Sequence, residues 1–105
     1  MKFYKNLYIG ETIKNPNRVK QKLRLNVGQM NIYIIVPAKG KDQLEIFHCA
    51  FLKQKYIRKQ LPIVVGIANG YEEAVDIIVE ITKESITKNG NADIKKYLFP
   101  NMEKI

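Results

Sequence analysis

The chain contains no tryptophan, one cysteine and one histidine. A lone cysteine closes no internal disulfide, and one His with one Cys falls short of the three or four protein ligands of a zinc site. Neither Gly-Lys-Ser/Thr nor G-x-G-x-x-G occurs, which removes the two common nucleotide-phosphate loops. The longest apolar run, Ile32 to Ala38, is far below the ~20 residues that span a bilayer. The opening Met1-Lys2-Phe3-Tyr4-Lys5-Asn6 lacks the apolar core of a signal peptide. Together these absences lead to the expectation of a cytoplasmic protein with no membrane association, no cofactor and no metal.

Acidic residues are scarce in the front of the chain. Residues 1–60 hold thirteen Lys/Arg against Glu11, Asp42 and Glu45, a local +10, whereas residues 61–105 hold five against seven, a local −2. The net +8 therefore belongs to the first half. Such asymmetry points to nucleic acid or another polyanion as partner, although a Lys-rich solvated surface produces the same count. With 105 residues, 46% of them hydrophobic, the chain is expected to form a single domain with its own core.

Pro62 to Gly90 organises the rest. Pro62-Ile-Val-Val-Gly-Ile-Ala68 is a β-branched run of strand length that passes through Asn69-Gly70 into an amphipathic segment, Tyr71 to Asn89. Ala74, Ile77, Ile78, Ile81 and Ser85 share one side of a helix, and Val75, Val79, Thr82 and Ile86 are expected to widen that buried face. Asn69 as N-cap would place Glu72 at N3 of a capping box, and Lys88-Asn89-Gly90 supplies the stop. At 1.5 Å per residue the helix is about 28 Å long.

Upstream, Phe3 to Ile9 alternates as a strand, with Phe3, Lys5, Leu7 and Ile9 opposite Tyr4, Asn6 and Tyr8. Asn15-Pro16 caps a helix to about Arg24, with Gly28 as its latest end. Met30 to Val36 is apolar on both faces and belongs in the middle of the sheet. Pro37 to Asp42 reads as a hairpin link, and Gln43 to Leu52 as the antiparallel partner strand. Lys53 to Gln60 is either a single helical turn or the end of that strand. Asn91 to Phe99 is a short helix stopped by Pro100. The reading is an α+β fold in the order β-α-β-β-β-α-α. An antiparallel sheet of three to four strands carries the long helix, with one or two shorter ones, on one face.

No pairing of a nucleophile with a base is visible. On an extended strand His48 and Cys49 point to opposite faces and cannot share a proton, and Glu72 and Glu73 are explained by capping and the helix dipole. A non-enzymatic binding module without a small-molecule substrate is expected. Its candidate nucleic-acid-binding residues are Arg18 and Lys22, with Lys20 and Arg24, from the first helix. Lys39 and Lys41 come from the hairpin, and Lys53, Lys55, Tyr56, Arg58 and Lys59 from the segment after it. Tyr56 is placed to stack on a base. The alternative is a homodimer or docking to a protein partner: the two-sided strands need cover on both faces, and a second subunit would supply it over Ile32 to Leu52 if the helices cannot.

In element order, Asn15 to Asn89 resembles the double-stranded-RNA-binding domain. That family opens its second helix with a Lys-Lys-rich motif on phosphates, where this chain has Tyr71-Glu72-Glu73-Ala74. The Glu72-Glu73-Ala74 opening also looks like that of HicB-type antitoxin domains over some 20 residues. Neither resemblance assigns a family.

Overall fold

The computed structural model describes residues 1–40 and 43–100. Four strands, β1 (Phe3–Ile9), β2 (Ile32–Pro37), β3 (Leu44–His48) and β4 (Val64–Asn69), form one sheet in the order β1-β4-β2-β3. The helices are α1 (Pro16–Arg24), α2 (Lys55–Gln60), α3 (Tyr71–Asn89) and α4 (Ile94–Leu98), and a 3-10 turn occupies Cys49–Lys53. The sheet is mostly antiparallel, as expected, but β1 runs parallel to β4. β4 does not continue a meander from β3. The 3-10 turn and α2 carry the chain back across β2, so β4 enters between β1 and β2.

Local chemistry sets the boundaries. Asn15 caps α1 by accepting from the Arg18 N–H at 3.1 Å, and Pro16 begins the helix. The helix ends before Gly28. Asn26 adopts a left-handed φ of 58°, its N–H reaches the Leu23 carbonyl, and the Val27 N–H reaches that of Lys22 at 2.9 Å. This is a Schellman ending with Asn in the position that glycine usually takes.

The partner strand also ends early, at His48. Its Nδ1 accepts from the Ala50 N–H at 3.0 Å and its Nε2 lies 2.9 Å from the Met30 carbonyl. These two bonds define the neutral tautomer with the proton on Nε2. The His48 cap turns the backbone into the 3-10 segment, so the alternation expected through Leu52 breaks and Cys49 and Leu52 enter one cluster.

At α3 the cap is displaced by one residue from the expectation. Gly70, at φ 101°, is the N-cap, and Glu73 rather than Glu72 occupies N3. The Glu73 carboxylate reaches back past the N-cap and accepts from the Asn69 N–H at 2.9 Å, while the Gly70 N–H donates to the Asn31 carbonyl at 2.8 Å. The carboxylate also accepts from the Thr12 hydroxyl at 2.6 Å and the Thr12 N–H at 3.2 Å, tying the loop after β1 to α3. A Cβ at Gly10 would collide with this carboxylate, so a larger residue there would have to displace Glu73 from these bonds.

Apolar cores lie on both faces of the sheet. On one, Leu23 of α1 and Leu52 of the 3-10 turn pack with Ile32, Ile34, Val36, Val64 and Ile67. On the other, Ala74, Ile77 and Ile81 of α3 and Ile94 and Leu98 of α4 pack with Ile35, Val65 and Ala68. The long helix and one short helix share a face, as the pattern predicts, and α1 with the 3-10 turn covers the opposite one. Strand β2 is therefore buried on both faces within its own chain. The row Val75, Val79 and Ile86 differs from expectation: it stands 39%, 45% and 51% exposed, outside the core. Among the described residues no helix is long and apolar enough to cross a membrane.

Candidate nucleic-acid interface

The face covered by α1, the 3-10 turn and α2 carries the cations expected from the sequence. No acid occurs in residues 14–40 or in 46–71. The segments are joined by Arg58, whose Nη2 donates to the Leu23 and Arg24 carbonyls, both at 2.8 Å. A guanidinium at these last-turn carbonyls, of which that of Leu23 also accepts from the Asn26 N–H, closes the C-terminal end of α1 and complements its dipole. Its Nη1 is buried and has no hydrogen-bond partner among the described residues. Arg58 is thus a clamp within the fold, unlike the freely presented phosphate ligand that the sequence suggested.

The clamp sets Lys22 and Arg24 at the end of α1 beside α2, with its exposed Lys55 and Lys59. Lys53 reaches over Gly28, in the loop after α1. Tyr56 is 72% exposed, available to stack. Lys20 and Arg24 lie over the Phe3 ring, 5.8 and 4.8 Å from its centroid, which fixes their stems to β1. Arg18, exposed, stands one turn before Lys22, toward the end of α1 away from its contact with Arg58. Lys41 lies outside the described residues.

A groove of about 1120 Å³ continues this surface around the end of the sheet. It gathers Lys2, Lys39, Arg58, Lys59, Lys95 and Lys96 over an apolar floor that includes Leu61, Pro62, Ile63 and Phe99. Lys39 and Lys95 donate to neutral oxygens, those of the Gln60 side chain at 3.2 Å and the Gly40 carbonyl at 3.1 Å. The carboxylate in the lining, Asp93, caps α4 by accepting from the Lys96 N–H at 3.2 Å. Cations in a concave apolar wall focus their field outward. Lys2, Lys95 and Lys96 were not among the residues expected from sequence. Only folding brings the N-terminus and the α4 dipeptide to the hairpin; the signal in the sequence was the bare Lys95-Lys96 pair.

The opposite face has another character. The exposed side of α3 bears Glu72, Asp76 and Glu80, with Lys83 and Lys88. Glu84 accepts from the hydroxyls of Tyr8 at 2.7 Å and Tyr97 at 2.9 Å. Burial first, then this bond to Glu84, raises the Tyr8 hydroxyl pKa far above its ordinary value. Burial likewise raises that of Tyr4, with smaller contributions from Tyr97 and Glu84. Burial alone would raise the Glu73 carboxyl pKa, but the bonds from Asn69 and Thr12 outweigh it and hold it below the usual range. The α3 N-terminus, which would attract an anion, thus has its own carboxylate in place.

His48 and Cys49, the other residues of chemical interest, are both engaged with backbone. The Cys49 thiol donates to the Gln29 carbonyl at 3.1 Å beside the His48 bond to Met30, and together they pin the loop between α1 and β2. Among the described residues no group of three or more His, Cys, Asp and Glu could hold a metal ion. No protein-family model, no curated protein and no solved structure matches the chain.

Proposed function

We propose that the protein is a non-enzymatic module that binds nucleic acid through phosphate contacts on the α1–α2 face and the adjoining groove. The observation that carries this reading is the Arg58 clamp. It makes two acid-free, cation-rich segments, far apart in sequence, into one surface. Lysines on such a surface bind without reading sequence, and Tyr56 adds a stacking platform suited to an unpaired base.

Fluorescence anisotropy against labelled duplex RNA, duplex DNA and single strands, at two salt concentrations, tests it. If about five phosphates are neutralised, affinity should fall roughly 10²- to 10³-fold between 50 and 200 mM salt. The reversal Lys55→Glu with Lys59→Glu should weaken binding while far-UV circular dichroism stays unchanged. Arg58 is unsuited to this test because its loss disturbs the fold. An arm with anionic lipid vesicles is needed because Leu25, Val27 and Met30 stand exposed beside the cations. Binding to vesicles but to no nucleic acid contradicts the reading.

A further inference from the structure

Helix α3 buries one stripe and displays a second. Val75, Val79, Thr82 and Ile86 recur at intervals of four, three and four residues, the spacing of a seam between two helices. The Thr82 hydroxyl donates to the Ile78 carbonyl at 2.8 Å, so its polar end is occupied within the helix and its methyl group is left for the seam. Tyr71, 56% exposed and packed edge-on to Tyr33, extends the apolar surface at the N-terminal end. The helix is already held by its buried side, so pairing through the other carries no nucleation cost.

We propose that this stripe is a homodimer interface in which two α3 helices pack antiparallel about a two-fold axis passing between Glu80 and Ile81. In that arrangement Val75 meets Ile86 of the second copy and Val79 meets Thr82. The exposed charges beside the stripe decide the occupant and its direction. Asp76 and Lys83 flank it on the solvent side, seven residues apart. The antiparallel two-fold brings each Asp76 beside the other copy's Lys83, giving two opposite-charge pairs. A parallel pairing would set them against Tyr71 and Ile78. The surface is therefore complementary to itself, which is what an isologous contact requires. It lies on the face opposite α1 and α2, so it leaves the α1–α2 surface free, and it does not rest on the nucleic-acid reading.

Sedimentation equilibrium of the purified chain at concentrations spanning about 1–100 μM tests this, with circular dichroism as a check on folding. The native chain should be dimeric in that range, and Val79→Glu, at an already exposed position, should weaken dimerisation by roughly 30-fold or more, the size of a central contact. Asp76→Lys alone and Lys83→Asp alone should each weaken it, and the double swap should restore it. Ile86→Cys mixed with Val75→Cys should cross-link on mild oxidation, whereas Ile86→Cys alone should not, since its partners lie about 16 Å apart along the helix. A monomer throughout the range overturns the proposal. So does a dimer indifferent to Val79→Glu, and a double swap that fails to restore pairing overturns the antiparallel two-fold.

Discussion

The two faces of the sheet are covered by different means. One is covered chiefly by a 19-residue helix whose interior side is four buried residues in helical register, Ala74, Ile77, Ile81 and Ser85, with the short α4 adding Ile94 and Leu98. The other carries a nine-residue helix, a five-residue 3-10 turn and a six-residue helix, contributing Leu23 and Leu52 to the core. A long helix holds itself by continuous burial along one stripe. Short pieces need ties, and on the basic face these are polar: Arg58 to two carbonyls, His48 to Met30 and Ala50, and Cys49 to Gln29. Charge divides in the same way, with cations over the tied segments and most of the acids of the second half on α3. A face assembled from separate segments can gather cations distant in sequence, and this is how the candidate interface arises.

Substitutions that strike one face and spare the other break the comparison. The largest effect is expected on the α3 side. Ile81→Ala, at a fully buried site, should cost about 3–4 kcal/mol, read as a lower urea midpoint at unchanged slope. Next, Arg58→Ala should cost about 2 kcal/mol through the loss of two charge-assisted bonds, and Arg58→Lys should recover only part of it because an ammonium does not reproduce the fork. Arg58→Ala should also speed amide exchange in α2 more than in α3.

Smaller again, Glu84→Ala should cost about 1–2 kcal/mol, leaving the Tyr8 and Tyr97 hydroxyls without their shared acceptor. Tyr8→Phe should cost less, since Tyr97 keeps its bond.

The smallest effect concerns Glu73. Its folded pKa lies below the unfolded value of 4.5, so the folded state holds the proton less tightly. The stability it contributes is present above about pH 4.5 and is lost as pH falls toward the folded pKa. Glu73→Gln should therefore flatten the acid limb of a stability-against-pH curve and leave its neutral-to-alkaline part with the same shape. Glu72→Gln, on a side chain that makes none of these bonds, should leave the acid limb in place.

Period and punctuation revealed much of the fold. The α3 span, the Asn15-Pro16 start of α1, the hairpin and the interior place of β2 all follow from local pattern, because propensity and burial agree there. Three features were not legible. The parallel entry of β4 between β1 and β2 depends on how a 3-10 turn and a short helix cross the sheet, and neither has a periodicity long enough to detect. The end of β3 depends on a His48 side-chain cap that resembles ordinary alternation until the backbone turns. The exposure of Val75, Val79 and Ile86 depends on where α3 sits over the sheet, since an apolar stripe reads the same whether it is buried or displayed. For the candidate interface, Lys22, Lys39, Lys55 and Lys59 were legible as charge density. The structural role of Arg58 was not, since it comes from a carbonyl pair 34 and 35 residues away in the chain.

The central claim is that the clamped basic face binds nucleic acid while the acidic helix face does not. The measurement that tests it most directly is the slope of log affinity against log salt for single-stranded and duplex nucleic acid. It should be taken on the native chain, on Lys55→Glu with Lys59→Glu, and on Glu72→Gln with Glu80→Gln. The account predicts a steep slope for the native chain, a slope shallower by about two with weakened binding for the lysine reversals, and no loss of binding for the α3 pair. Native binding that is absent, or that is unchanged by the lysine reversals, would contradict it.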